Sequence, residues 1–181
     1  LKYGHRKSID LDFFNFEKFD NKQLVDVLEK EFNQELVYET PHIKFGIFCT
    51  IQNIKVDIIH YPHPLIAPLE VIDNITMYSN KDIAAMKIAA ISDRGAKKDF
   101  IDLYFIIKIE KKLTLKECLE LYDKKFNTLK QNKIHILKSL LYFEDAEKQA
   151  GIKMIKKVEW QEVVKFFIRE VRALQEVNSL K

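Results

Sequence analysis

The sequence predicts an α+β fold, in which a small mixed β-sheet lobe is followed by a helical C-terminal lobe. Up to about residue 76, short runs rich in β-branched and aromatic residues alternate with turn residues, which is typical of strands. Beyond that point, helix-capping residues precede apolar residues at helical spacing. Only 4 Gly and 4 Pro among 181 residues favour long regular elements. We therefore expect an α/β lobe at residues 1–76 and a helical lobe at residues 77–181.

The α/β lobe is predicted to contain a strand, a helix and a hairpin, in that order. The strand covers about residues 8–14. Asp20 can cap the helix that follows, since Gln23 lies three positions later and apolar residues then recur at helical spacing. The hairpin has strands at residues 44–51 and 54–59, joined by a turn at Gln52 and Asn53.

The helical lobe is predicted to contain five helices. Ser79 with Asp82 is a capping signature for the first helix, and Thr114 with Glu117 is a capping box for the third. Gly95 marks the end of the first helix. The five helices cover about residues 79–93, 97–111, 114–126, 130–143 and 159–177.

The composition is that of an ordinary globular protein with a mildly basic charge. The formal net charge is +3, which permits a nucleic-acid partner without indicating one. Cys49 and Cys118 have no metal-ligand spacing, so we expect two reduced, buried thiols. Because neither an 18-residue apolar run nor a signal-peptide pattern occurs, we expect a cytoplasmic protein without a membrane partner.

Asp10 and Asp12 form an Asp-x-Asp motif in the first predicted strand. Side chains alternate along a strand, so both carboxylates project from one face, roughly 6–7 Å apart. Such a pair can hold Mg²⁺ together with the phosphate oxygens of a substrate, as a phosphoryl or nucleotidyl transfer site requires. The alternative is a half-buried strand whose outer face is acidic.

Asp57 lies inside the Val/Ile-rich second strand of the predicted hairpin. A carboxylate in such a strand is costly to bury unless it meets a cation or donors. If this strand lies beside that of Asp10 and Asp12, three carboxylates share one sheet face and could hold two divalent ions. The alternative is an Asp on an edge strand that faces solvent.

Lys87 lies on the apolar side of the first predicted helix of the helical lobe. A lysine there binds an anion such as phosphate, extends its ammonium to solvent, or pairs with a carboxylate. Asp99 and Asp102, three positions apart on one helical face, are the candidate partners. Asp99 could also cap its helix, since it lies near the N-terminus.

Further basic residues could contact phosphate or RNA. His5 and Arg6 precede the first strand and could reach a phosphate. A basic stretch further along is most simply a solvated helix face, with an RNA-facing surface as the alternative. This stretch comprises Lys124, Lys125, Lys130, Lys133 and Lys138.

Taken together, these segments resemble the AbiEii/AbiGii nucleotidyltransferase toxins, in the DNA polymerase β-like nucleotidyltransferase superfamily. The similarity runs in order through residues 4–105 and is specific because several separate motifs occur in sequence. The motifs are Gly4-His5-Arg6-Lys7-Ser8-Ile9-Asp10-Leu11-Asp12, Val56-Asp57, Asp82-Ile83-Ala84-Ala85-Met86-Lys87 and Arg94-Gly95-Ala96-Lys97-Lys98-Asp99-Phe100-Ile101-Asp102.

This resemblance implies a bacterial type IV toxin that transfers a nucleotide from a nucleoside triphosphate to an acceptor, which is RNA such as the tRNA 3′ end in some members. It implies a Mg²⁺ or Mn²⁺ site at Asp10, Asp12 and Asp57. It also implies nucleotide binding by Ser8, Arg6 and Lys87, and an antitoxin partner. The helical lobe would complete the active site, with Lys87, Asp99 and Asp102 among the catalytic residues.

The family's Gly-Ser or Gly-Thr element, which cradles the triphosphate, should lie before Gly4. The chain opens at Leu1 without it, so we expect an N-terminal part to be missing. One alternative is therefore a catalytically silent relative that binds a nucleotide, RNA or a protein. Another is an enzyme of the same fold that transfers phosphate to protein.

Overall fold

The structure is a computed structural model that describes residues 2–8, 10–38, 45–127 and 132–179, with side chains through residue 176. Its contacts group the chain into two compact units. The sheet unit is Ser8–Pro64, and the helical unit combines Leu1–Lys7 with Leu65–Lys181. This grouping differs from the predicted division at residue 76. The helical unit includes the segment after Pro64 and the first residues of the chain.

The sheet unit contains one helix and a four-stranded sheet in the order β1-β4-β3-β2. β1 pairs with β4 in parallel, whereas the β4–β3 and β3–β2 pairs are antiparallel. The predicted small mixed sheet is therefore confirmed. The elements are β1 (Asp10–Asn15), α1 (Asn21–Phe32), β2 (Leu36–Tyr38), β3 (Gly46–Ile51) and β4 (Ile54–His60).

One face of this sheet packs against α1. Asp20 caps the helix as predicted, because its side chain accepts hydrogen bonds from the backbone N–H groups of Lys22 and Gln23. The apolar face of α1 then covers a core centred on Leu28, Ile47, Cys49 and Val56. Since side chains alternate along each strand, the acidic residues of β1 and β4 lie on the opposite face.

The β3–β4 hairpin turns at Gln52 and Asn53, as predicted. Both residues have positive φ, 53° and 65°, which fits the two-residue turns whose twist matches paired strands. β3 begins at Gly46, where an added Cβ would lie only 2.6 Å from the backbone oxygen of Ile58. A side chain at this position would therefore push the two strands apart.

In the described part of the helical unit, a short hairpin after Pro64 is followed by six α-helices. Ser79 caps α2 by accepting a hydrogen bond from the N–H of Asp82, and Gly95 ends the helix with a left-handed φ of 55°. The capping box of Thr114 and Glu117 is also confirmed. The elements are β5 (Glu70–Ile72), β6 (Ile75–Met77), α2 (Asn80–Arg94), α3 (Lys97–Tyr104), α4 (Leu115–Lys125), α5 (Lys133–Ser139), α6 (Glu144–Glu147) and α7 (Trp160–Ser179).

Two predicted helices differ in extent from the observed ones. The helix predicted at 97–111 is α-helical to Tyr104 and continues as a π-helical turn, Phe105–Ile109, before Lys111 adopts a φ of 50°. The helix predicted at 130–143 is reduced to α5, and its first two residues lie outside the described part of the chain. A separate short helix, α6, follows α5.

The N-terminal segment of the helical unit pairs with a later extended stretch. The N–H of Lys7 donates to the carbonyl of Lys153, and the carbonyl of His5 accepts from Ile155 and Lys156. These bonds hold residues 5–7 against the helical unit. Cys49 and Cys118 are buried, and neither forms a disulfide, as expected. None of the helices in the described ranges has the length and apolar character that a membrane crossing requires.

Candidate functional site

The acidic face of the sheet unit is built by the parallel pairing of β1 and β4. Asp12 is the register partner of Asp57, and Asp10 is the partner of Lys55. Partners on neighbouring strands project from the same face, with their backbones about 4.8 Å apart. The structure therefore meets the condition that the sequence left open, since all three carboxylates lie on one sheet face.

The three acidic residues differ in their exposure to solvent and in the strand that carries them. β4 is an interior strand between β1 and β3, so the alternative of an edge-strand Asp57 is wrong. Asp57 and Asp10 are half-buried, with the Oδ1 atom of Asp57 fully enclosed, whereas Asp12 is exposed. Ser8 is exposed, and its hydroxyl donates to the backbone oxygen of Asp10 at 3.2 Å. Of the three carboxylates on this face, that of Asp12 is therefore the most accessible to solvent.

The acidic face offers carboxylate oxygens to a divalent cation. In the described ranges, no group of three or more His, Cys, Asp or Glu side chains is close enough together to hold a metal ion. The donors are nevertheless carboxylate oxygens, which suit Mg²⁺ or Mn²⁺. Mg²⁺ is commonly held by one or two carboxylates together with substrate phosphates and water. Asp12 and Asp57 can supply such a pair, so the donor set fits an ion that arrives with a nucleotide.

The helical unit contains an ionic cluster centred on Lys87. Its ammonium lies 2.8 Å from Oδ1 of Asp99 and 2.6 Å from Oδ2 of Asp102. Arg94 donates to Asp99 from Nε at 2.9 Å. The ionic cluster is completed by residues of the N-terminal segment, and its members are His5, Arg6, Lys87, Arg94, Asp99 and Asp102.

Two residues of the N-terminal segment bind Asp102, at one end of this cluster. Arg6 donates to both oxygens of Asp102, from Nε at 2.6 Å and from Nη2 at 2.8 Å. The Nε2 atom of His5 lies 2.9 Å from Oδ1 of Asp102, and its ring stacks on Phe105 at 4.2 Å between centroids. Arg6 was predicted to reach a phosphate. In the structure its guanidinium is directed mainly at Asp102.

Helical spacing explains how the sequence builds the cluster. Lys87 and Arg94 are seven positions apart on α2, which is two turns on one face. Asp99 and Asp102 face them from the first turns of α3. The Asp99 side chain binds Lys87 and Arg94 rather than capping its helix, so of the alternatives for Lys87 the pairing with both aspartates is confirmed.

Burial and charge act in opposite directions on the protonation of this cluster. Burial alone would raise the pKa of Asp102, but hydrogen bonds from Arg6 and His5 and the charge of Lys87 hold that pKa well below its usual range. Burial likewise opposes the charge on Lys87, yet the carboxylates of Asp102 and Asp99 raise the pKa of its ammonium. Both groups are therefore charged at neutral pH.

The ammonium of Lys87 retains binding capacity. It has three donors, and two are directed at Asp99 and Asp102. The side chain remains 21% exposed. Apart from His5, the cluster has three cations and two carboxylates, and so one excess positive charge. An anionic group could accept the remaining donor without displacing either aspartate.

Sequence reasoning missed two members of the ionic network in the helical unit. Arg94 was named only as part of a family motif and was given no role in the site, although its spacing from Lys87 already placed both on one face. Lys125 was assigned to a solvated basic face, which is wrong for this residue, because its ammonium is fully buried 2.8 Å from Oδ1 of Asp82. The available signal was the spacing of Lys125 with the buried Leu115, Cys118 and Tyr122 on α4.

Comparisons with known proteins identify the family of the chain. A family model for the nucleotidyl transferase AbiEii toxin of type IV toxin–antitoxin systems matches residues 1–178. Uncharacterised protein aq_aa25 of Aquifex aeolicus (strain VF5) is 34% identical over 178 residues, which cover 95% of this chain and 82% of that protein.

Two crystal structures share the fold. A candidate nucleotidyltransferase from Helicobacter pylori matches with a TM-score of 0.54 and 16% identity, over 99% of this chain and 84% of that one. JHP933 from Helicobacter pylori matches with a TM-score of 0.52 and 16% identity, over 98% and 82% of the two chains. The fold, the acidic motifs and the match of nearly the whole chain to one family model lead to the same conclusion: this chain belongs to the AbiEii family of nucleotidyl transferase toxins of type IV toxin–antitoxin systems.

Proposed function

We propose that the chain transfers a nucleoside monophosphate from a nucleoside triphosphate to a hydroxyl of an RNA acceptor such as tRNA, in a reaction that depends on Mg²⁺ or Mn²⁺. The hydroxyl oxygen would bond to the α-phosphorus and pyrophosphate would leave. The observation that carries the proposal is the pairing of Asp12 with Asp57 across parallel strands, in a chain of a nucleotidyltransferase family. Two like charges placed side by side repel each other unless a cation joins them. Their pairing on a face that reaches solvent at Asp12 suits a transient cation site.

In this proposal Asp10, Asp12 and Asp57 hold the divalent ions. Bound there, the ions would neutralise phosphate charge and favour ionisation of the acceptor hydroxyl. Asp57, half-buried beside Asp12, would orient that hydroxyl and take up its proton. The exposed position of Asp12 lets the nucleotide approach the carboxylates from solvent.

The ionic cluster supplies the positive charge for the nucleotide. Lys87 would donate its remaining N–H to a phosphate oxygen, while Asp99 and Asp102 hold its ammonium in a fixed place. These aspartates are therefore positioning residues. Ser8 and Arg6 remain predicted nucleotide contacts, with Arg6 also fixing Asp102. Such transfer reactions depend mostly on alignment and charge stabilisation, which a pre-paired lysine provides.

A cognate antitoxin is the partner that a type IV toxin family implies. We therefore propose that an antitoxin opposes this activity in the cell, and that the reaction takes place in the cytoplasm, where RNA and nucleoside triphosphates are found. Expression of the wild-type chain alone should slow bacterial growth, whereas Asp12→Ala should not.

The direct test is transfer of label from a nucleoside triphosphate. Purified protein is incubated with Mg²⁺, total RNA and each nucleoside triphosphate, labelled at the α-phosphate in one series and at the γ-phosphate in the other. We expect α-label to enter RNA and Asp12→Ala to abolish this. Asp26→Ala, which removes an exposed carboxylate from α1, is the matched control.

Three outcomes would contradict the proposal. Undiminished transfer by Asp12→Ala would remove the acidic face from the reaction. Entry of γ-label into protein would identify a protein phosphotransferase instead. Binding of nucleotide or RNA without any transfer would indicate the catalytically silent relative.

A further inference from the structure

A cavity of about 510 Å³ opens in the helical unit, apart from the ionic cluster. Its walls come from the π-helical turn after α3, the loop that leads into α4, and α7. The volume is in the range of sites that take a nucleotide-sized group. Apolar side chains such as Ile107 and Phe166 form its base, and both are buried.

The rim of this cavity is basic. It contains Lys108, Lys111, Lys112 and Arg169, against the two carboxylates of Glu117 and Glu170. The formal charge of the lining is therefore positive by two. Lys111 adopts a φ of 50°, and the resulting turn places it with Lys112 on the same rim as Lys108.

The carboxylates of the rim accept hydrogen bonds, whereas the ammonium groups of its lysines make none among the described residues. Glu117 accepts hydrogen bonds from the backbone and hydroxyl of Thr114, which lower its pKa. Glu170 accepts from Arg169 at 2.8 Å. Among the described residues, none of the ammonium groups of the three rim lysines forms a salt bridge or a hydrogen bond, although the charge of Lys112 helps to lower the pKa of Glu70. Cations around a concave surface favour an anionic ligand.

We propose that this basic rim, Lys108, Lys111 and Lys112, binds the phosphate backbone of the RNA acceptor. The inference rests on the proposed RNA acceptor and gives it a docking surface. Lysine ammonium groups bind phosphates as point charges without reading the bases. Three of them on one rim can contact successive phosphates of a single strand. A single-stranded end could thus be held by its backbone, whatever its sequence.

The test measures RNA binding without catalysis. Fluorescence anisotropy of a labelled RNA oligonucleotide is followed in metal-free buffer at low salt. We expect Lys108→Glu/Lys111→Glu/Lys112→Glu to weaken binding about tenfold or more. The slope of log Kd against log salt should fall by about two, at roughly 0.7 for each phosphate that the variant no longer neutralises. The matched control carries the same charge change at three exposed lysines elsewhere on the helical unit, as Lys148→Glu/Lys153→Glu/Lys157→Glu.

A neutral variant, with its melting followed by circular dichroism, separates a loss of RNA affinity from a loss of folding. Lys108→Gln/Lys111→Gln/Lys112→Gln should melt like the wild type, because these side chains are exposed, and should show an intermediate loss of affinity. Equal loss in the rim variant and the control would overturn the docking surface. Binding of the same variants to polyglutamate is measured as well. If the rim variant keeps its affinity for RNA but loses its affinity for polyglutamate, the docking surface is also overturned, because the partner would then be an acidic protein segment.

The docking surface and the proposed reaction can fail separately. If the wild type binds RNA through the rim but transfers no nucleotide, the proposed function fails and the docking surface stands. If transfer occurs and the rim variant keeps the wild-type KM for RNA, the docking surface fails and the proposed function stands. If both hold, the variant should raise KM and leave kcat unchanged.

Discussion

The ammonium of Lys125 lies 2.8 Å from Oδ1 of Asp82, and both side chains are completely enclosed. The same carboxylate accepts hydrogen bonds from the backbone N–H groups of Ile66 and Ala67 and from the hydroxyl of Ser79. This ion pair therefore fastens three segments: α4, the start of α2, and the stretch with which the helical unit resumes after Pro64.

Removing one partner of this pair should lower the unfolding free energy of the protein substantially. Lys125→Met keeps the side-chain length but leaves the carboxylate of Asp82 buried without its cation, at a cost of about 3–5 kcal/mol of unfolding free energy. Urea denaturation would measure it, with Lys124→Met as the control, because Lys124 is the exposed neighbour on α4. The double variant Asp82→Asn/Lys125→Met should recover part of the loss. A stable Lys125→Met protein would show that the pair contributes little.

Acid should weaken the helical unit through Asp102. Its folded pKa lies below the ordinary value of about 3.9, so its contribution is complete above that pH and falls as pH decreases toward the folded pKa. We expect the unfolding free energy of the wild type to drop between about pH 5 and pH 2. Asp102→Asn should be less stable at pH 7 and show a shallower drop.

The pKa of Asp82 is also lowered, against the opposing effect of its burial, by Lys125, Ile66 and Ser79, so some acid sensitivity should remain in Asp102→Asn. Chemical denaturation at a series of pH values would measure both proteins. Parallel curves for wild type and variant would contradict the assigned role of Asp102.

Local chemistry made much of the fold predictable. Asp20, Ser79 and Thr114 each satisfy backbone donors at the start of a helix, a signal that depends only on neighbouring residues. Gln52 and Asn53 mark their turn for the same reason. The three-residue strands β2, β5 and β6 were missed, because so short a segment cannot display a period of two.

The site residues that could be predicted are charged residues that lie within apolar segments of the sequence. Asp57 within a Val/Ile strand and Lys87 among alanines and isoleucines stood out without knowledge of the fold. Arg94 and Lys125 did not stand out, because a lysine or arginine near a helix end is ordinary. Only the packing of α2 against α3 and α4 shows that these two cations face buried carboxylates.

The close approach at Gly46 predicts a sharp response to a single methyl group. In Gly46→Ala the new Cβ would sit 2.6 Å from the carbonyl oxygen of Ile58, and neither strand can yield without disturbing the β3–β4 pairing. We expect a loss of about 1–3 kcal/mol, the usual cost of overpacking. Gly151→Ala is the control, since an added Cβ there meets nothing within 4 Å. Equal melting temperatures for the two variants would count against this register.

Two register pairs on the acidic face of β1 and β4 differ in charge, and this difference yields a prediction about that face. Asp10 faces Lys55 across the strands, whereas Asp12 faces Asp57. Two unit charges roughly 6 Å apart in water repel by about 0.7 kcal/mol, so Asp12→Asn should stabilise the metal-free protein by a few tenths of a kcal/mol while removing activity. A site kept at the expense of stability is typical of functional residues.

Thermal melting in EDTA and in Mg²⁺ would measure this relationship. Mg²⁺ should raise the melting temperature of the wild type more than that of Asp12→Asn, because an ion held by Asp12 and Asp57 binds only the folded state. Asp26→Asn, on the exposed side of α1, should respond to Mg²⁺ as the wild type does. If Asp12→Asn were no more stable than the wild type in EDTA and gained as much from Mg²⁺, the paired carboxylates would neither repel each other nor share an ion.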